Sequence, residues 1–224
     1  MATPSYVPAR TTEAVLATNK VIRNTYTLLS MTLLFSAVMA AVSTILVMPP
    51  ATYLICVFGA LGLVWFVLPK MARSANGIWV VFGITGLLGF ALGPILNMYL
   101  SLPNGSQIVG TALGGTGAIF LGLSGYALTT RKDFSFLGGF LMTGFIVVLL
   151  AALANIFLAI PALSLTISAA VILIMSGFIL YDTSRMVREG ASANYLVMTV
   201  SLYLSIFNIF ISLLQILGFA SGDD

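Results

Sequence analysis

Hydrophobic residues in this chain form long continuous runs, with little of the apolar–polar alternation of a half-buried strand. Seven runs stand out, near 25–47, 51–68, 78–100, 107–128, 136–158, 163–181 and 195–217. Each has about the 20 residues that an α-helix needs to cross a bilayer. Unbroken runs favour helices over a β-barrel, whose strands alternate lipid-facing and lumen-facing positions. The predicted fold is an all-α integral membrane protein with seven transmembrane helices. It divides into a tail over 1–24, a helical domain over 25–217 and a short outer tail over 218–224.

The polar breaks between runs are short. Pro49-Pro50, Leu102-Pro103-Asn104-Gly105 and Ile160-Pro161 mark three of them, so successive helices must run antiparallel. All nine basic residues fall on the other side. Arg10, Lys20 and Arg23 precede the first run. Lys70 and Arg73 follow the second, Arg131 and Lys132 the fourth, and Arg185 and Arg188 the sixth. Basic residues collect in cytosolic connections, which predicts a cytosolic N-terminus and an outer C-terminus. Residues 1–10 hold two prolines and no apolar pattern, and read as unstructured. Residues 11–24 can continue the first helix, with Glu13 early and Lys20 and Arg23 late, as the helix dipole prefers. The tail serves either as a topology anchor or as a handle for a cytosolic partner. It does not read as a cleaved signal, because the apolar run after it is too long and lacks a cleavage site.

Composition narrows the chemistry. The chain is 60% hydrophobic and 7% charged, with a mean hydropathy of +1.12, and the spans consume nearly all of its 224 residues. The net charge of +3 is the orientation bias summed, not a nucleic-acid signal. There is no histidine, and Cys56 is the single cysteine. An intrachain disulfide and histidine-based catalysis or metal binding are therefore excluded, and Cys56 reads as a small apolar filler. No Ser, Cys or Lys has a plausible base beside it, and no cofactor motif is present, so the sequence carries no enzyme signature.

Glycines are dense in the third to fifth runs: Gly83, Gly86, Gly89 and Gly93, then Gly110, Gly114, Gly115, Gly117, Gly122 and Gly125, then Gly138, Gly139 and Gly144. Small residues on one helix face let backbones approach where lipid supplies no hydrophobic drive. Tight packing within the chain is expected throughout, with a homo-oligomer face as the alternative. No Gly-Lys-Ser/Thr follows, so none forms a phosphate loop.

Charge inside a bilayer costs about 2.5–3.5 kcal/mol per residue on insertion scales. Asp182, near the end of the sixth run, is therefore notable. It is either half of an interfacial pair with Arg185, three residues on, or an acid turned into the bundle where it gates a path. The seventh run carries Ser201, Ser205, Asn208, Ser212 and Gln215 at spacings of four, three, four and three, one polar stripe at helical period. Such a stripe belongs in the bundle interior and makes the seventh helix central. It either bonds to other helices or lines a hydrated path. Asn97 and Asn155 are candidate partners, and Pro94 is expected to kink the third helix.

Several segments resemble the Bax inhibitor-1 family. They are Leu180-Tyr181-Asp182-Thr183-Ser184, the run Ser201 to Leu214, Lys20 to Tyr26, Leu92-Gly93-Pro94-Ile95-Leu96-Asn97, Leu128 to Gly139, and Leu217 to Ser221. The resemblance implies a seventh helix surrounded by the other six. It implies two functional classes. One is a bacterial inner-membrane regulator that binds the FtsH protease complex through its N-terminal tail, restrains degradation of membrane proteins and is itself a slow substrate. The other is a pH-sensitive calcium or cation leak gated at Asp182, where an acid on the sixth helix shares a proton with one on the seventh. Here the second acid falls on Ser205. A lone carboxylate facing a serine lacks like-charge coupling, and a divalent ion would lose half its charge compensation. Asp182 is then a weak calcium ligand, and the regulator is the favoured reading. Depth adds a constraint. Ser205 lies about 15 Å into the seventh helix, so it meets Asp182 only if the sixth helix continues past 182 inside the bundle, with Arg185 and Arg188 snorkelling back.

Overall fold

The computed structural model describes residues 12–74, 76–130 and 132–221. Arg10 with the rest of residues 1–11, Ala75, Arg131 and the acidic end over 222–224 lie outside them. The helices are α1 (Thr12–Ile45), α2 (Ala51–Met71), α3 (Gly77–Leu100), α4 (Gly105–Thr130), α5 (Leu137–Leu158), α6 (Pro161–Glu189) and α7 (Tyr195–Ala220). Seven spans among the described residues are long and apolar enough to cross a membrane. The helix order is antiparallel, so Lys20, Arg23, Lys70, Arg73, Lys132, Arg185 and Arg188 share one end, called here the basic end.

Local chemistry sets the ends. Asn194 caps α7: its Oδ1 accepts from Leu196 N at 3.0 Å and Val197 N at 3.4 Å, while its Nδ2 donates to the Ala72 carbonyl. One side chain thus starts α7 and ties it to the end of α2. α6 opens with Pro161, which has no N–H to waste at the first helical position. It closes at Gly190, whose φ of +54° suits glycine. The turn Gly190–Ser192 packs against α1 and sets the depth at which α7 starts. Within α2, Leu63–Val67 widens to a π-helical turn. Pro69, four residues beyond Trp65, explains it: the ring would strike the Trp65 carbonyl in a regular helix. α3 remains helical through Pro94.

The core lies around α7, which packs along its length against α1, α3, α4 and α6. Over its apolar window 61% of the residues are buried, against 6% for α5 and 17% for α2. α2 leans on α3, and α5 on α6. The expected ring of six helices around the seventh is thus four, because α2 and α5 are held off by the helices they pack on.

Packing between α1 and α3 rests on glycine. A Cβ on Gly89 would come within 2.8 Å of the Ser36 Cα, and one on Gly93 within 2.7 Å of the Ser43 carbonyl carbon. Gly86 receives the edge of the Phe35 ring. This close approach carries Ser36 to Tyr203 on α7, a fully buried side chain. Their hydroxyl oxygens are 2.5 Å apart, and Tyr203 also donates to the Thr85 carbonyl at 3.2 Å. Three helices are joined there by two hydrogen bonds.

The glycines of α4 behave differently from expectation. A Cβ on Gly110, Gly114, Gly117, Gly122 or Gly125 would meet nothing within 4 Å. They face outward or into open space. Gly115 lies near Leu213, and Gly105, at the start of the helix, packs on the Tyr99 and Leu100 backbone.

Candidate functional site

The strongest concentration of polar chemistry sits on the last three turns of α6, at the basic end. α6 is helical through Glu189, so Asp182 lies two turns inside it and is 5% exposed. Its Oδ2 accepts from the Ser201 hydroxyl at 2.5 Å. The next residues reach different elements. Thr183 Oγ1 is 3.4 Å from the Tyr26 hydroxyl on α1. The Ser184 hydroxyl donates to the Lys132 carbonyl at 3.0 Å and accepts from Phe134 N at 3.2 Å, clasping the loop between α4 and α5. Arg188 Nη1 donates to Asp133 Oδ2 at 3.2 Å. Four consecutive or near-consecutive positions therefore lock α7, α1 and the α4–α5 loop onto one helix end. Asp133 is itself set by Ser135, whose backbone N–H donates to Oδ1 at 2.8 Å. Hydrogen bonding from Ser135, with Arg188 nearby, holds its carboxyl below the usual carboxylate range, and it stays ionised beside the arginine.

Two sequence expectations are corrected here. Arg185 does not pair with Asp182: its Nε donates to Glu189 Oε1 at 2.5 Å, one helical turn onward on the exposed surface. The i,i+4 geometry wins because Asp182 turns inward to α7 while Arg185 turns out. Asp182 also meets Ser201, not Ser205. Ser201 is six residues into α7, about 9 Å from its start, one turn nearer the basic end than Ser205.

The stripe on α7 is distributed. Ser201 and Gln215 both reach α6, Gln215 through Ser164 and through Ser168, whose hydroxyl donates to Oε1 at 2.7 Å. Asn208 donates to its own helix at the Leu204 carbonyl. Ser205 and Ser212 are buried, with no side-chain hydrogen bond among the described residues. Asn97 and Asn155 do not join the stripe. Asn97 Nδ2 donates to the Thr44 carbonyl on α1, and Asn155 Oδ1 accepts from Ile160 N, closing α5 beside Ala159 at φ +51°. Each amide is used to bond backbone at a helix end.

Chemically the arrangement is a clasp. Among the described residues Asp182 has one neutral donor and no carboxylate bonded to it, so no proton-sharing pair is formed there. Among the described residues no group of three or more Asp, Glu or Cys side chains is placed to hold a metal ion. Removing the Ser201 hydroxyl should leave a buried carboxylate short of its donor, at a cost of about 1–3 kcal/mol. Thermal unfolding of Ser201→Ala in detergent should show a lower midpoint than wild type, and Ser205→Ala should not. Equal midpoints for the two variants would contradict the Asp182–Ser201 assignment. Sequence reasoning missed the Ser184 clasp and the Tyr203–Ser36 bond. Ser36 stands as a lone serine in an apolar run, and Ser184 is hidden in the polar stretch Asp182-Thr183-Ser184-Arg185, so neither announced its partner.

Residues 18–222 match the family described as inhibitor of apoptosis-promoting Bax1. A protein of Escherichia coli K12 named modulator of FtsH protease YccA is 53% identical over 210 residues, 94% of each chain. One from Escherichia coli O6:H1, named inner membrane protein YccA, matches to the same extent. A membrane protein of Vibrio cholerae is 47% identical over 224 residues, the full length of both chains. By matched length and by identity, the chain belongs to the Bax inhibitor-1 family of membrane proteins.

Proposed function

We propose that this protein is an inner-membrane regulator that binds the FtsH protease complex, restrains degradation of other membrane proteins, and is itself degraded slowly. One observation carries the reading: identity of 53% over 94% of both chains with a protein named modulator of FtsH protease. The geometry supports it in three ways. The one-sided Lys and Arg support a cytosolic basic end, with the N-terminal tail on that side and the C-terminus on the other. α1 has 34 residues, about 51 Å, against a hydrocarbon core of about 30 Å. Its first turns therefore stand clear of the bilayer and carry the tail to a cytosolic partner. The clasp at Asp182 is a structural lock and leaves the protein to act by binding.

Affinity purification of the tagged full chain from solubilised bacterial membranes should retain FtsH. A folded, monodisperse chain that elutes without the protease would count against the proposal.

A further inference from the structure

A cavity of about 610 Å³ lies between α1, α3, α4 and α7, in the half of the bundle away from the basic end. Leu33 to Ile45 of α1, Leu92 to Leu100 of α3 and Val109 to Phe120 of α4 bound it, and Tyr203 to Phe210 of α7 forms its back wall. Its few polar side chains are all engaged within the protein. Ser36 bonds Tyr203, and Tyr203 donates to Thr85. Thr44 donates to the Ala40 carbonyl at 2.8 Å and Thr116 to the Ala112 carbonyl at 2.7 Å. No hydroxyl proton is left free for a polar guest, and apolar cavities accept apolar guests. Left empty, the lining would forfeit its dispersion contacts on one side.

The cavity opens sideways. α1 and α4 flank it without packing closely along its length. Toward the basic end Tyr26 and Phe120 meet, with ring centroids 6.1 Å apart, and close that side. The mouth has a low rim: Ala37 and Ala41 on α1 line the cavity and are exposed, and Gly117 on α4 faces them with space for a side chain. Outside the rim, Leu34, Val38 and Leu121 are each more than half exposed, as lipid-facing residues are. The opening is thus continuous with the surface that the bilayer covers.

We propose that this cavity is a lipid site, filled by one acyl chain of a bilayer phospholipid entering between α1 and α4. The small rim residues set its width, and the occupant forms part of the contact surface that α1 and α4 present in the membrane.

The test uses the full chain with Trp65 and Trp79 changed to Phe and Phe207→Trp as a reporter at the back wall. Reconstituted in phosphatidylcholine with brominated acyl chains, the reporter should lose at least half as much fluorescence as lipid-facing Trp79 does in its own single-tryptophan version. Adding Gly117→Leu or Ala41→Leu should fill the mouth and more than halve that quenching, with both proteins monodisperse. Equal brightness in brominated and ordinary vesicles would overturn the proposal, as would quenching that neither plug reduces. Quenching that grows as protein is diluted in lipid would mean that a second copy fills the site, and would also overturn it.

Discussion

Gly89→Leu should separate α1 from α3 and lower the thermal midpoint of the detergent-solubilised protein sharply, with much of the chain recovered as aggregate. Overpacking a core costs about 1–3 kcal/mol when side chains can move aside. At Gly89 the obstacle is the Ser36 backbone, so the helices themselves must part. The damage spreads, because Ser36 carries the hydrogen bond to Tyr203, and Tyr203 anchors α7 to α3. Gly114→Leu on α4 is the control: space for its side chain is open, and its midpoint should match wild type. In a membrane, where helices gain little from hiding apolar surface, close backbone approach is a main source of stability. The α1–α3 seam should therefore also set resistance to extraction by a protease, and Gly89→Leu should be degraded faster than Gly114→Leu. Equal midpoints would show that the seam is not the source of stability.

Deleting residues 2–12 should abolish engagement by FtsH while leaving insertion and the thermal midpoint unchanged. The deletion removes Arg10 and the two prolines and stops at the start of α1, so the packed helices keep every contact described here. An ATP-driven protease that pulls from the cytosol needs an accessible segment, and the tail is the longest one outside the predicted spans. Pull-down of the truncated chain should recover no protease. Recovery equal to wild type would move the docking surface to the loops of the basic end.

The spans were readable because a bilayer crossing demands about 20 apolar residues and leaves no freedom in composition. The end of α6 was not. Asp182, Thr183 and Ser184 look like a polar boundary, yet the helix continues because Ser201, Tyr26 and the Lys132–Phe134 loop satisfy their side chains. The period of the α7 stripe was legible, but its register against α6 was not. That register depends on the three-residue turn at Gly190, which composition does not encode. Glycine spacing was equally ambiguous: the same pattern seals α3 to α1 and lies open on α4. The cavity between α1 and α4 had no sequence signal, since it depends on where helices fail to touch.

The activity to measure is restraint of proteolysis through binding. It is tested most directly by co-reconstituting FtsH with a membrane substrate, with and without this chain, and following the substrate over time. The substrate should persist longer when the chain is present, the chain should be consumed slowly, and the version lacking residues 2–12 should give no protection. Substrate loss at the same rate with and without the intact chain, inserted with its basic end on the ATPase side, would contradict it.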